Sequence, residues 1–468
     1  MSKKIIYPIA FMAVALLVFA MLMVPRALAS PSAATLTVNS TLDEPDSNVG
    51  DGICSSTPSG KCTLRAAVMQ ANVINVDTTI LVPTGIYSLT IPPVGSDGPE
   101  TGDLNLTAPA SGNPVITITG AGASTTLIDA NQNDRVFNIA ASRTASISGV
   151  TIRNGSVPAN SFGGGIYNSG TLTVSNSMLN LNNGGDGGGI FNAFSALTVS
   201  NSTFSQNNAS LSGGGIFNDY GTMTVSSSTI SQNNGAGGGG ILNIGTMTMT
   251  NSTLSQNNSI GGGSGGGIDN DQFGSLIVVN STISQNKANN NGGGIFDFNS
   301  SANVYNTSIV FNDADSDRDG NGSGGGVFND PTYADAPFNL RNTLVAGNTE
   351  FNTIVNDDCT GTIHSYGRNL FGVVAGCTII NGSGGSWTFL NSLNLLGPLQ
   401  NNGGPTLTHA LLQGSNAIDG ADPVFGCTDY NGNTIATDQR GLARKVGIRC
   451  DVGAYEYRPP LYLPLIRR

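Results

Sequence analysis

GGGIFNAFSALTVSNSTFSQNN, residues 187–208, is followed by GGGIFNDYGTMTVSSSTISQNN at residues 213–234. Variants of this phrase occur seven times between Gly163 and Asn348, about 25 residues apart, and a fixed period of that size marks a solenoid. Helical repeats need runs of good helix formers, whereas these units are rich in Gly, Ser, Thr and Asn, which favour turns and strands. Within a unit the alternation has period two. Leu172 and Val174 are flanked by Thr171, Thr173 and Ser175, and Met223 and Val225 by Thr222, Thr224 and Ser226. Short strands with inward aliphatics and outward hydroxyls describe the coils of a parallel β-helix, stacked about 4.8 Å apart.

Aligning the units on one another gives columns. Ile166, Ile190, Ile216, Ile241, Ile268, Ile295 and Val327 follow the glycine triplets and face the core. The next column holds Tyr167, Phe191, Phe217, Leu242, Asp269, Phe296 and Phe328; because it admits a charge, it belongs at a rim. A third column is Asn168, Asn192, Asn218, Asn243, Asn270, Asp297 and Asn329. A fourth is Asn176, Asn201, Ser227, Asn251, Asn280, Asn306 and Asn342, and a fifth is Asn182, Asn207, Asn233, Asn257, Asn286, Asn312 and Asn348. Asn tolerates left-handed backbone, so three such columns predict three corners and three strands per coil, with stacked amides bonding along the axis. The glycine triplets lack the Lys-Ser/Thr and the helix of a phosphate loop, so they are turns.

The chain has 468 residues and a formal net charge of −11, which disfavours nucleic acid as a partner. Lys3 and Lys4 precede an apolar run from Ile5 to Val24, and Ala27-Leu28-Ala29 supplies a small-x-small cleavage pattern; this reads as a secretion signal over 1–29. No later run is long and apolar enough to span a bilayer. Six cysteines fall as near neighbours, Cys54 with Cys62, Cys359 with Cys377 and Cys427 with Cys450. Fifteen pairings are open, and local disulfides stapling the two ends of an exported monomer are the working expectation. An open β-stack needs its ends covered. Residues 63–71, TLRAAVMQA, read as a capping helix with Thr63 as N-cap, and the repeat stops after Gly372 where a second cap begins.

The ends carry a resemblance. TLTVNSTLDEPDSNVGDGICSS…KCTLRAAVMQANV resembles the CSLREA-type N-terminal domain of exported bacterial proteins, with Cys62 to Ala67 matching the name motif. LGPLQNNGGPTLTHALLQGSNAIDG, TDQRG and CDVGAYE resemble a choice-of-anchor Q domain, and the repeats are similar to polymorphic outer-membrane-protein and pectin-lyase-like β-helices. The resemblance implies an all-β, right-handed parallel β-helix, secreted or surface-displayed. It divides the chain into a CSLREA-like region and cap at 30–110, repeats at 111–372, a C-terminal cap at 373–457 and a tail at 458–468.

Several chemistries are open. Between Ser161 and Val310 the charged residues are Asp186, Asp219, Asp269, Asp271, Lys287 and Asp297 alone, too few for an obvious lyase base or hydrolase carboxylate set. Asp269, Asp271 and Asp297, on adjacent coils, are the candidate catalytic group. Asp357-Asp358 reads as a surface loop. Asp313 to Asn321, DADSDRDGN, places carboxylates at alternate positions before a glycine, as in the first half of a calcium loop; Asp315, Asp317 and Asp319 are the candidate Ca²⁺ ligands, with Asp43 to Asp51 a weaker second site. The favoured reading is a non-catalytic adhesin or a binder of polysaccharide, cell-surface glycan or matrix; Tyr167, Phe191 and Phe217 could stack on sugars, but packing over the glycine turns is the favoured role for these rings. The alternatives are a polysaccharide lyase or hydrolase and, from the Thr-x-Thr rows at Thr171, Thr222 and Thr246, an ice binder.

Overall fold

A computed structural model describes residues 33–459, apart from 96–97, 331, 333–336, 351–356, 424–425 and 430. The leader expected at 1–29 and the tail from 460 onward lie outside the described residues. Among the described residues the strands build three parallel sheets of 22, 12 and 7 strands, plus an antiparallel pair formed by Leu396–Gln400 and Thr408–Leu411.

One coil shows how. Ile190–Ala193 and Ala196–Ser200 both lie on the first sheet, separated by a bend at Phe194 with φ 51°. The chain turns at Asn201, φ 47°, into Thr203–Ser205 on the second sheet, and at Gln206, φ 56°, into Asn208–Ala209 on the third. Gly213, φ 68°, then opens the next coil. The expected three-sided coil is present, with its first side bent in two. Stacking is in register: Ile190 pairs with Ile216, Leu197 with Met223, Phe204 with Ile230 and Asn208 with Asn234. The Ile column from Ile166 to Val327 is wholly buried and joins a continuous apolar core reaching from Leu36 to Phe371. Each such side chain contributes about 1.5–3 kcal/mol by leaving water.

The three Asn columns do not play one role. The fourth, from Asn176 to Asn342, sits at a corner with φ between 47° and 51°, where the short polar side chain tolerates left-handed backbone. The third and fifth were expected at corners too, but they point inward and are fully buried along nearly their whole length. At the fifth column the left-handed φ falls instead on the preceding residue, such as Leu181, Gln206 or Gln232. The buried amides form ladders along the axis. Asn192 Nδ2 donates to Asn218 Oδ1 at 2.8 Å, and Asn218 to Asn243 at 2.8 Å. In the fifth column Asn207 Nδ2 donates to Asn233 Oδ1 at 2.9 Å, and the same oxygen accepts the Asn207 N–H at 3.0 Å. The second proton of Asn233 Nδ2 goes to the Phe204 carbonyl at 3.1 Å. Every polar atom of such a rung is used, as burial demands.

Two carboxylates take amide positions in these ladders. Asp297 Oδ1 accepts from Asn270 Nδ2 at 2.6 Å and from Ser300 Oγ at 2.7 Å. Asp358 ends the fifth ladder, accepting the Asn348 N–H and Nδ2 at 2.8 Å each and the Val373 N–H at 2.6 Å. Asp357 and Asp358, expected on the surface, are therefore buried, because the last amide of the stack needs an acceptor. Burial pushes the carboxyls of Asp297 and Asp358 up to about 6 against the pull of those hydrogen bonds.

Helix α1, Leu64–Val73, covers the first coils: Thr63 Oγ1 accepts the Ala66 N–H at 3.1 Å, and Leu64, Ala67, Val68 and Ala71 join the core. Arg65 of this helix is buried, paired with Asp43 at 2.7 Å and donating to the Gly102 and Asp103 carbonyls. Parallel pairing runs from Ala34–Thr37 to Ser386–Phe389, so the stretches flanking 111–372 also supply coils. The chain then turns back along the flank of the stack. Gln439 bonds Thr253 and Thr282, His409 meets Ser284 at 2.8 Å, and Arg444 holds Asn280 at 2.6 Å. The disulfides join Cys54 to Cys62, Cys359 to Cys377 and Cys427 to Cys450.

Two outcomes follow for stability. Asn233→Ala strips the Asn207 N–H and Nδ2 of their shared acceptor and should cost about 2–4 kcal/mol, against about 0.5 for Gln232→Asn on the exposed corner, compared by guanidinium unfolding midpoints. A carboxyl whose pKa rises on folding keeps a proton that the unfolded chain has already released. The stability it carries is full below its ordinary value of 3.8 and is lost as pH climbs through about 6. Asp297→Asn should therefore stabilise the protein by roughly 2 kcal/mol at neutral pH, and thermal melts of the two proteins should converge near pH 4.

Candidate functional site

In several coils the bend within the first sheet puts a residue outside the core in left-handed backbone. At this bend stand Phe194 (φ 51°), Tyr220 (φ 48°) and, two coils on, Phe273 (φ 72°). For bulky side chains such φ values are outliers costing about 1–3 kcal/mol. Asn299, φ 48°, occupies the same bend one coil beyond Phe273, so a residue that tolerates this backbone fits there. The rings are nonetheless exposed: Phe194 by 73%, Tyr220 by 53% and Phe273 by 80%. Phe194 and Tyr220 stack with centroids 5.5 Å apart and planes 16° from parallel. Backbone strain and exposure thus coincide at these rings.

These two rings wall an open groove of about 590 Å³ whose floor is made of hydroxyls and amides: Asn113, Ser142, Thr144, Thr171, Ser195 and Thr222. No Asp, Glu, Lys, Arg or His lines it. The hydroxyls arise from period-two alternation, which turns Thr171 outward while Leu172 goes to the core. The in-register row Thr144, Thr171, Ala196, Thr222, Thr246 places them one coil apart. A second groove, lined by Gln206, Gln232, Gln256 and Gln285, carries an exposed amide ladder, Gln232 to Gln256 at 3.3 Å, but no aromatic ring.

The rings singled out from sequence sit elsewhere. Tyr167, Phe191 and Phe217 form a column that packs over the glycine corners, Tyr167 stacked on Phe191 with centroids 5.7 Å apart and Phe191 edge-on to Phe217 at 5.0 Å. A Cβ on Gly213 would lie 2.8 Å from the Cβ of Phe217, so the glycine is what lets the ring close down there. Phe191 is only 5% exposed and offers no face to a ligand. The bend aromatics escaped notice because neighbouring coils place Ser169 and Ile244 near the same bend, which breaks the column.

The three candidate catalytic carboxylates lie near enough to act on one another electrostatically, but on two faces of the strands. Asp269 and Asp271 project from the outer face of Ile268–Asp271, in register with Phe296 and Phe298, whereas Asp297 turns into the amide ladder on the opposite face. Asp269 is buried under the rim, and its Oδ1 has no partner. Burial, reinforced by Asp271 and Asp297, lifts its carboxyl well above the ordinary range, and burial also raises Asp271. The result is a buried carboxyl biased toward its neutral form beside a half-buried one, with no Arg or His between Ser161 and Val310.

Asp315, Asp317 and Asp319 do converge, with ligand oxygens within 4.8 Å of one another. The weaker acidic stretch does not: Asp43 is engaged with Arg65, Glu44 with Ser56 and Ser59, and Asp46 with the Asn48 N–H.

A family model described as a right handed beta helix region matches residues 135–314. No curated protein matches the chain. Among solved structures, the chain is similar to the crystal structure of pectate lyase Pel9A, at 14% identity and a TM-score of 0.50, covering 92% of this chain and 98% of that one. The PL6 family alginate lyase AlyGC aligns at 10% identity and a TM-score of 0.33, over 93% of this chain and 60% of its own. At 14% identity the likeness to Pel9A is one of architecture, and it agrees with the sheets, register and core described above: the chain is a right-handed parallel β-helix.

Proposed function

We propose that this protein is a secreted or surface-displayed, non-catalytic binder of neutral polysaccharide, and that the groove walled by Phe194 and Tyr220 is where the glycan lies. The observation that carries this is the strained, exposed, stacked aromatic pair above a floor of uncharged hydroxyls. Aromatic faces pack on the C–H faces of sugar rings, and hydroxyls and amides exchange hydrogen bonds with sugar hydroxyls. Coils about 4.8 Å apart repeat at close to the length of one sugar residue, so a glycan running along the axis meets like groups at each step. Three disulfides suit an oxidising compartment outside the cell, in keeping with the leader read at 1–29 and with the CSLREA-type and choice-of-anchor Q-like ends.

A second reading, polysaccharide cleavage, draws on the neighbouring acids Asp269 and Asp271. Affinity electrophoresis through neutral glucans, xylans and mannans, with pectin and alginate alongside, separates the two. Retention by a neutral polymer that falls about tenfold or more in Phe194→Ala/Tyr220→Ala, with no shortening of any polymer, is the expected result. Release of unsaturated or reducing ends, lost in Asp271→Ala, would transfer the function to the carboxylates; retention unchanged by the double substitution would remove the groove from consideration.

A further inference from the structure

We infer that Asp315, Asp317 and Asp319 hold a calcium ion that pins the insertion between Ala314 and Gly324 to the side of the stack. In other coils the third sheet passes to the glycine corner through a short turn, as from Ala209 to Gly213. Here the same connection runs from Ala314 to Gly324. The added residues are tied to the preceding coil: the Ser316 N–H bonds the Ala288 carbonyl at 2.9 Å, and the Ser323 N–H bonds Asn291 Oδ1 at 3.0 Å.

Asp315 lies at the root of this loop and is completely buried. Its Oδ1 accepts the Gly320 N–H at 3.0 Å, but its Oδ2, equally buried, has no hydrogen-bond partner. A carboxylate oxygen withdrawn from water with nothing to meet it is a costly arrangement, and a cation resolves it. Asp317 and Asp319, both exposed, bring oxygens to within 4.8 Å of that site, so three acidic side chains converge where repulsion would otherwise spread them. Gly320, φ 88°, gives the sharp reversal after the third carboxylate.

The donor set is all oxygen, with no Cys or His in the cluster, which selects a hard cation over zinc or copper. A loop closed by three carboxylates, free to adjust its coordination number, suits Ca²⁺ better than Mg²⁺, which demands a near-ideal octahedron. The position that would carry a bidentate Glu in a helix–loop–helix site is Gly326, inside the glycine corner, so water and backbone carbonyls complete the shell. Three acidic ligands without that Glu place the affinity in the range of extracellular modules, about 10⁻⁴–10⁻³ M.

The test uses the full mature chain, calcium chloride and terbium chloride. Raising Ca²⁺ from a chelated baseline to about 10 mM should lift the thermal midpoint by about 2 °C or more, while Mg²⁺ at the same concentration does less. Terbium luminescence should report one saturable site that calcium displaces. Asp317→Asn/Asp319→Asn changes only exposed side chains and should fold normally; it should lose both the calcium shift and the terbium signal while keeping its midpoint in chelator. Absence of any calcium shift and terbium signal in the native protein, or their persistence in the double variant, would overturn the assignment.

Discussion

A side-chain amide facing a hydrocarbon core must have its oxygen and both its protons met, and in this chain each ladder amide finds its amide partners in the coils above and below. The two Asn ladders therefore fix the stack as much as the Ile column does. Apolar side chains tolerate a small slip, since dispersion has no direction, but the bond from Asn207 Nδ2 to Asn233 Oδ1 at 2.9 Å does not. Glycine completes the constraint. A Cβ on Gly214 would stand 2.3 Å from the Asn234 carbonyl oxygen, so the corner closes at the height the ladders require only without one. Register, corner and core then specify one another.

The architecture was legible because it is written many times. Ile190, Ile216 and Ile241 recur at spacings of 26 and 25 residues, and a position repeated in every unit reveals its environment by what it accepts. The same redundancy hid the difference among the Asn columns. Asn suits a left-handed corner and also suits an internal ladder, so Asn201 and Asn207 look alike in sequence although one turns the chain and the other bonds along its axis. Singular features were harder to read. Asp358 lies beyond the last full repeat and beside a cysteine, which suggests a loop, yet it accepts what Asn348 donates. Phe194 and Tyr220 sit where other coils have small or aliphatic residues, so no column announces them.

The fold by itself assigns no chemistry, and the surface of the coils has a character of its own. From Ser161 to Val310 they carry one Lys, no Arg and five Asp, so their outer faces are nearly uncharged. What they offer instead is a repeated lattice of hydroxyls and amides with aromatic rings set into it at conformational cost. On this scaffold recognition and reaction are separable. A long regular face can be specialised for contact by changing residues at the bends, leaving the interior columns untouched.

The C-terminal segment has a consequence of its own. In a plain repeat array each unit touches only its neighbours, so coils can peel away from an end one after another. Here Gln439 clasps Thr253 and Thr282, Arg444 grips Asn280, and Asn342 donates to the Gly426 carbonyl. A single returning segment of chain thus acts as a splint across several storeys, and the coils it spans must come apart together or stay intact. For a stack loaded along its axis, that converts gradual fraying into one high threshold.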